Sequence, residues 1–302
     1  MDDLKYWVAF SRIPSIETVR MRMLESGFES IQAAWKATSS SLKAVGIEGS
    51  ALRQITEHRP LIDPDAKMER MEKAVVRALT WNDSEYPSAL KELYDPPPVL
   101  YLKGTFMEHD AHGVAVIGTR RATAYGREAC AALVKDLASA GITIISGLAK
   151  GIDGIAHRTT LEAGGRTIAV MGSGIDVVYP SDHRALAQRI SETRVLLSEY
   201  LLGTKPDARN FPRRNRMLRG LSLGVLVVEA PLDSGVMHTV RFALEQGRDV
   251  FAIPGSIFSP TSLGSNRLIQ DRAKLVTDAS RHGRNSTLPG WSNNHRFLVS
   301  AQ

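Results

Sequence analysis

The sequence predicts an α/β fold, a doubly wound and mostly parallel sheet preceded by a small helical domain, and three observations carry that expectation. First, short β-branched runs begin at residue 113 and recur along the chain: VAVIG, ITIIS, TIAVM, VLLSE, VLVVEA, DVFAIPG and KLVTD. Second, these runs lack the apolar-polar alternation of a half-exposed strand, so they belong to strands covered on both faces. Third, helical patterns separate them at a spacing of roughly 20 to 30 residues, room for crossover connections and therefore for parallel pairing.

In chain order, residues 1–80 carry apolar residues at helical spacing, Val19, Met23 and Leu24 and later Met68, Met71, Val75 and Leu79, and read as a small helical domain. Within it, SLKAVGIEGSALRQI sets Gly46 and Gly49 between two helical patterns. That is either a helix-hairpin-helix turn offering backbone N–H groups to a phosphate or a plain helix connection. Residues 81–112 read as a connector, because Pro96, Pro97 and Pro98 are consecutive and forbid a regular helix, and a short strand is expected at Val99–Leu102. Residues 113–279 form the α/β domain. Residues 280–302 lack periodic apolar positions and acidic residues, and a flexible basic tail is expected there.

Composition sets the limits. With 43% hydrophobic residues, a disordered or fibrous chain is excluded. The 38 Lys plus Arg against 32 Asp plus Glu leave a net charge of +6, which permits an anionic partner without demanding one. The one cysteine, Cys130, rules out an internal disulfide and a cysteine-rich metal site, and its place in the amphipathic AACAALVKDLASAG pattern reads as a buried core thiol. The acidic start MDDLKYWVAF resembles no export signal and no apolar run reaches membrane-spanning length, so a cytoplasmic protein with no membrane span is expected.

In such a sheet, ligands bind beyond the carboxyl ends of the strands. The first loop there, GTRRATAYGRE, carries Gly118, Arg120, Arg121 and Arg127 ahead of a helix starting near Thr123, a pattern that draws phosphate through free N–H groups and the helix dipole. An ordinary turn with solvated arginines is the alternative. The second loop, SGLAKGIDGIAH, places Ser146, Gly147, Lys150 and Gly151 together. Asp153 and His157 share a helix face there, but without a third ligand nearby a local hydrogen-bonding role fits better than a metal. The densest signal runs from Lys205 to Gly220, with Lys205, Arg209, Arg213, Arg214, Arg216 and Arg219 against one acid, Asp207. Lying between two strands and holding Phe211 and Pro212, this run is expected to fold across the top of the sheet as a polyanion site rather than as a solvated arm. A last loop follows Glu229, with Ser234 and Gly235 at a helix start.

Machinery for catalysis is not visible. After Gly118 the next glycine is Gly126, so the dinucleotide fingerprint is absent, the GSG at Gly172–Gly174 is a weak match, and no P-loop occurs. No Ser, His, Asp triad assembles from loop positions. No cofactor is expected.

Together the segments IGTRRATAYG, SGLAKGIDGIAH, AVMGSGIDVVYPSDH, SEYLLGTKP, FPRRNRMLRGLS, VVEA with DSGVMHTVRFALEQGRDVFAIPG, and GSNRLIQDRAKLVTD resemble, in order, the DNA-processing protein A family, DprA or Smf. The resemblance implies an extended Rossmann-like domain, after a SAM-like or helix-hairpin-helix-like region, that binds and protects incoming single-stranded DNA. It further implies a homodimer that helps load the RecA recombinase during natural transformation, and no enzymatic activity. Carried over by motif, Arg120, the stretch Ser146 to Asp153, the stretch Phe211 to Arg216 including Asn215, and Asn266 of GSNRLI match family positions. His238, Arg219 and Arg272 depart from the pattern. The winged-helix domain that many members carry has no counterpart here, and a truncated or altered end is expected after Asp278. With 6% aromatic residues, affinity should come mainly from phosphate contacts, with Phe211, Tyr125 or Tyr179 as optional stacking groups. The competing reading, a nucleotide-binding hydrolase of the lysine-decarboxylase-like class, requires a PGGxGT string that this chain lacks.

Overall fold

Nine strands form among the residues described in the computed structural model, which are 3–245 and 247–277. They are β1 (Arg77–Thr80), β2 (Val99–Lys103), β3 (Gly113–Ile117), β4 (Ile144–Ser146), β5 (Thr167–Met171), β6 (Val195–Ser198), β7 (Ser222–Val227), β8 (Asp249–Ala252) and β9 (Lys274–Leu275). The tail expected at 280–302 lies outside the described residues. Each of the seven β-branched runs supplies one strand, and helices lie between them in sequence, as the α/β expectation requires. Two compact units divide the chain: Met1–Ala111 with Ile168–Leu221, and His112–Thr167 with the described residues from Ser222 on.

In the first unit the strand order is β1-β2-β6-β5. β2 runs antiparallel to both β1 and β6, whereas β5 and β6 are parallel, with Ile168 opposite Val195 and Met171 opposite Ser198. Polar residues start the helices of its N-terminal region: Ser30 accepts from Ala33 N, Thr38 from Ser41 N, and Asp63, followed by Pro64, from Asp65 N and Ala66 N. Aromatic edges pack the first helix against its neighbours, Trp7 on Trp81 beside β1 at 5.5 Å and Phe10 on Trp35 at 4.9 Å between ring centres. The proline segment is pinned rather than loose, because the Tyr86 hydroxyl donates to Pro97 O at 2.8 Å and Thr18 Oγ1 to Pro96 O at 2.9 Å. It then enters β2, the strand expected at Val99.

In the second unit the order is β4-β3-β7-β8-β9, with each pairing parallel. Chain connections leave β3 toward β4 on one side, while β7 lies on the other, so a topological switch point falls at β3. Val114, Val116, Val134, Ile144, Leu226 and Phe251 form its core, and Cys130 is fully buried among them. Burial, the feature read from the sequence, pushes the Cys130 thiol up to about 12. Among the described residues no helix is long and apolar enough to cross a membrane.

Three sequence expectations change. The helical pattern from Met68 to Leu79 breaks, since the helix Pro64–Lys73 ends there, Val75 takes φ 51° at 79% exposure, and Arg77–Thr80 becomes β1 by pairing with β2. Tertiary hydrogen bonding overrides local periodicity at this point. Leu24 is buried as its spacing suggests, whereas Val19 and Met23 lie on the outer face of the helix Thr18–Gly27, 63% and 37% exposed, and Met21 is buried instead. The basic run is not a loop for most of its length: Asn210–Gly220 is a helix, and Pro212 is tolerated because it sits in the first turn, where its missing N–H costs nothing.

Candidate nucleic-acid interface

The loops after β3, β4 and β7 lie at the switch point of the second unit. Arg120, Arg121 and Lys150 are exposed there, while Gly118 packs against Ile152. Gly151 has φ 75°, and a Cβ on it would lie 2.2 Å from Thr119 O and 2.8 Å from Arg120 Cα. No residue with a side chain fits that position, so the second loop closes directly onto the first, with Ile152 N donating to Thr119 O at 3.2 Å. Leu148, buried, also adopts positive φ, 59°.

Two buried carboxylates fasten these loops. Glu229, 1% exposed at the end of β7, accepts from Thr123 N at 3.0 Å, Thr123 Oγ1 at 2.7 Å and Thr261 Oγ1 at 3.2 Å. Asp153 accepts from Gly147 N at 3.1 Å and Ala149 N at 3.3 Å. Thr123 also caps the helix Ala124–Ser139 by accepting from Gly126 N, and Thr119 Oγ1 accepts from Arg121 N. The start of this helix was expected to offer free N–H groups to a phosphate. Two of these groups are already taken, Thr123 N by a carboxylate from the protein itself and Gly126 N by the Thr123 hydroxyl, so Glu229 stands where such an anion would sit. Sequence gave no sign of it: Glu229 stands 106 positions from Thr123.

Ser146 and Asn266 are structural pins. Ser146, fully buried, donates from Oγ to Val116 O at 2.6 Å and ties β4 to β3. Asn266, on the helix Leu263–Gln270, exchanges two hydrogen bonds with Gly255, donating to its O at 2.9 Å and accepting from its N at 3.0 Å. His157 Nδ1 pairs with Thr167 Oγ1 at 2.7 Å, and Thr167 Oγ1 donates to Ile144 O, the local role the sequence favoured over a metal. Among the described residues no group of three or more His, Cys, Asp or Glu is placed to hold a metal ion.

The basic run lies in the first unit, and its arginines differ sharply. Arg214, Arg216 and Arg219 are buried at 4%, 5% and 6% exposure. Arg214 donates from Nη1 to Val170 O and from Nε to Asn215 Oδ1, so both Arg214 and half-buried Asn215 are engaged by the protein. Arg216 pairs through Nη2 with Glu199 and through Nε with Asp95 at 3.0 Å. Arg213, partly exposed, pairs with Glu17 and, at 3.4 Å, with Glu199. Burial pushes the Glu199 carboxyl above the usual glutamate range, against the pull of Arg216 and then Arg213. Arg209 is outermost, its side chain 89% exposed and held in a fork by Asp207, whose carboxyl the guanidinium keeps well below the usual aspartate range. Phe211 lies over Gly172, and its ring centre is 5.8 Å from that of Tyr179, which is 48% exposed. Tyr125 is also 48% exposed, its hydroxyl tied to Pro254 O.

A mostly parallel α/β sheet with arginines and lysine at its switch point defines a class of fold more than a single protein. Residues 77–284 match the model of the DNA recombination-mediator protein A family, more than half of the chain, and the chain belongs to that family. It is 38% identical over 276 residues to protein Smf of Synechocystis, covering 90% of this chain and 69% of that one. The crystal structure of DNA processing protein A from Streptococcus pneumoniae superposes with a TM-score of 0.79 at 36% identity, over 91% of this chain and 95% of that one. DNA processing protein A of Helicobacter pylori, whose structure concerns its single-stranded DNA binding mode, gives a TM-score of 0.60 at 32% identity over 66% and 90% of the two chains.

Proposed function

We propose that this protein binds single-stranded DNA, protects it on entry and helps load RecA during natural transformation, acting in the cytoplasm as a homodimer without catalytic chemistry of its own. One observation carries the DNA reading. Arg120, Arg121 and Lys150 are exposed on loops whose N–H groups at Arg121, Thr123, Gly126, Gly147 and Ala149 are already given to protein acceptors. Anions that reach these positions are then met by side chains, an arrangement suited to the spaced phosphates of a strand rather than to the compact phosphate cluster of a nucleotide. In the first unit, exposed Arg209 and the Tyr179–Phe211 pair offer a charge and a stacking face of the kind single strands use. Membership of the recombination-mediator family and the DNA-binding relative from Helicobacter pylori support the same reading.

Fluorescence anisotropy with a labelled oligonucleotide tests it. Binding should favour single strands over duplex and weaken with salt along a log-log slope of about −3 to −4, the value for four to six neutralised phosphates. Arg120→Ala should weaken binding about fivefold or more, the loss of one charged hydrogen bond, with an unchanged circular dichroism spectrum. A slope near zero, or equal affinity for duplex, overturns the proposal.

A further inference from the structure

Within the first unit, five charged side chains form an alternating chain: Glu17, Arg213, Glu199, Arg216 and Asp95. Glu17 pairs with Arg213, Arg213 with Glu199 at 3.4 Å, Glu199 with Arg216, and Arg216 with Asp95 at 3.0 Å. Its centre is buried, with the side chains of Glu199 and Arg216 at 5% and 6% exposure, and its ends are open, with Glu17 at 55% and Asp95 at 50%. Arg216 therefore serves the fold, held on both sides. Arg213 differs, because at 37% exposure it reaches solvent, and the partner on its open side is Glu17.

Glu17 has no evident structural duty that would explain the contact. It precedes the helix Thr18–Gly27, yet its side chain makes no capping hydrogen bond there. The contact spans 196 positions, from the N-terminal helical region to the basic helix Asn210–Gly220. An exposed ion pair of this kind contributes little to stability, and a phosphate carries the same charge as the carboxylate it would replace.

We infer that Glu17 is an affinity-setting residue that withholds Arg213 from the DNA backbone, so that a phosphate must displace the Glu17 carboxylate before it can pair with this arginine. The inference rests on the single-strand reading above. It assigns the helical N-terminal region a restraining role in binding, one that comes from a carboxylate rather than from a turn that donates N–H groups.

The test is a cycle in the full chain: wild type, Glu17→Gln, Arg213→Ala and the double variant, each titrated with a labelled single strand across a salt series. Glu17→Gln should tighten binding at low salt about two- to fivefold, the range of an exposed ion pair. Its log-log slope should steepen by about 0.7, one further phosphate on a single strand. In the Arg213→Ala background the same change should do nothing. Equal tightening in both backgrounds would mean a general charge effect and overturn the inference, as would no tightening at all. Phenylglyoxal modification of Arg213, followed by peptide mapping, gives a readout without DNA. Faster modification in Glu17→Gln than in wild type supports the restraint, and equal rates overturn it. If wild type shows no salt-dependent binding of single strands, the DNA reading fails, and the modification rates alone then decide the restraint.

Discussion

Gly126 lies in the first turn of the helix Ala124–Ser139, where alanine would ordinarily raise stability by about 1 kcal/mol. Gly126→Ala should do the opposite. A Cβ there would stand 2.0 Å from Glu229 Oε2 and 2.4 Å from its Cδ, and the carboxylate has little room to retreat because three donors hold it. Overpacking costs about 1 to 3 kcal/mol. Loss of at least one hydrogen bond to a charged group adds about 1.5 to 3 kcal/mol. Against the helix gain, a net destabilisation of about 1.5 to 5 kcal/mol is expected. Urea unfolding measures it, through a lower midpoint at unchanged slope. A second signature separates this mechanism from simple crowding: Gly126→Ala and Glu229→Gln should couple by more than about 0.5 kcal/mol in a double-mutant cycle. A Gly126→Ala variant as stable as wild type, or more so, would refute the view that Glu229 anchors the first loop.

Other outcomes follow from single contacts. Cys130, buried and with its thiol pushed up to about 12, should resist Ellman's reagent at pH 8 until denaturant opens the core; rapid stoichiometric labelling of native protein would contradict this. Because burial raises the Glu199 carboxyl, the folded state holds that proton more firmly than the unfolded state. This group's contribution to stability should therefore fall as pH rises from the ordinary glutamate range through the raised value, and Glu199→Gln should remove that fall; parallel urea-midpoint profiles for the two proteins would disprove it. Asn266→Ala gives up both hydrogen bonds to Gly255 and should cost about 1 to 3 kcal/mol in the same unfolding assay; a change under about 0.5 kcal/mol would show the pair to be dispensable.

Most strands of the α/β region were legible because each is a short run of β-branched and apolar residues without regular polar alternation. β1 was not, since Leu79 continues a helical spacing from Met71 and only pairing with Leu100, far along the chain, makes a strand of it. Loop positions were legible too: Arg120, Arg121 and Lys150 are exposed beyond the carboxyl ends of β3 and β4, where strand-helix alternation places them. The basic run misled in another way. Six cations against one acid look like a free field, but charge is neutralised in space, and Glu17, Asp95 and Glu199 come from three distant segments. Asp207 alone, two residues from Arg209, was a partner visible by spacing. Burial of Arg214 and Arg216 likewise depends on which face of a helix meets β5 and β6, which a run of arginines does not encode.

The fastening of the two loops bears on which anions the proposed interface accepts. For a nucleotide phosphate to take Thr123 N at the start of the helix Ala124–Ser139, it would have to expel Glu229, a carboxylate 1% exposed and held by Thr123 and Thr261. The same applies to the second loop and Asp153, which holds Gly147 N and Ala149 N. Displacing either carboxylate leaves a buried charge without its donors, a penalty of several kcal/mol that one phosphate group does not return. A strand avoids this penalty, because its phosphates arrive one by one at exposed guanidinium and ammonium groups and each adds its own contact. Millimolar ATP or AMP should accordingly leave the thermal midpoint unchanged, whereas a single-stranded oligonucleotide at a hundred times its dissociation constant should add about 2.7 kcal/mol of stability and raise the midpoint. A nucleotide that raised the midpoint by several degrees, with the rise lost in Arg120→Ala, would mean that the backbone donors are accessible after all and would return the protein to the nucleotide-binding class.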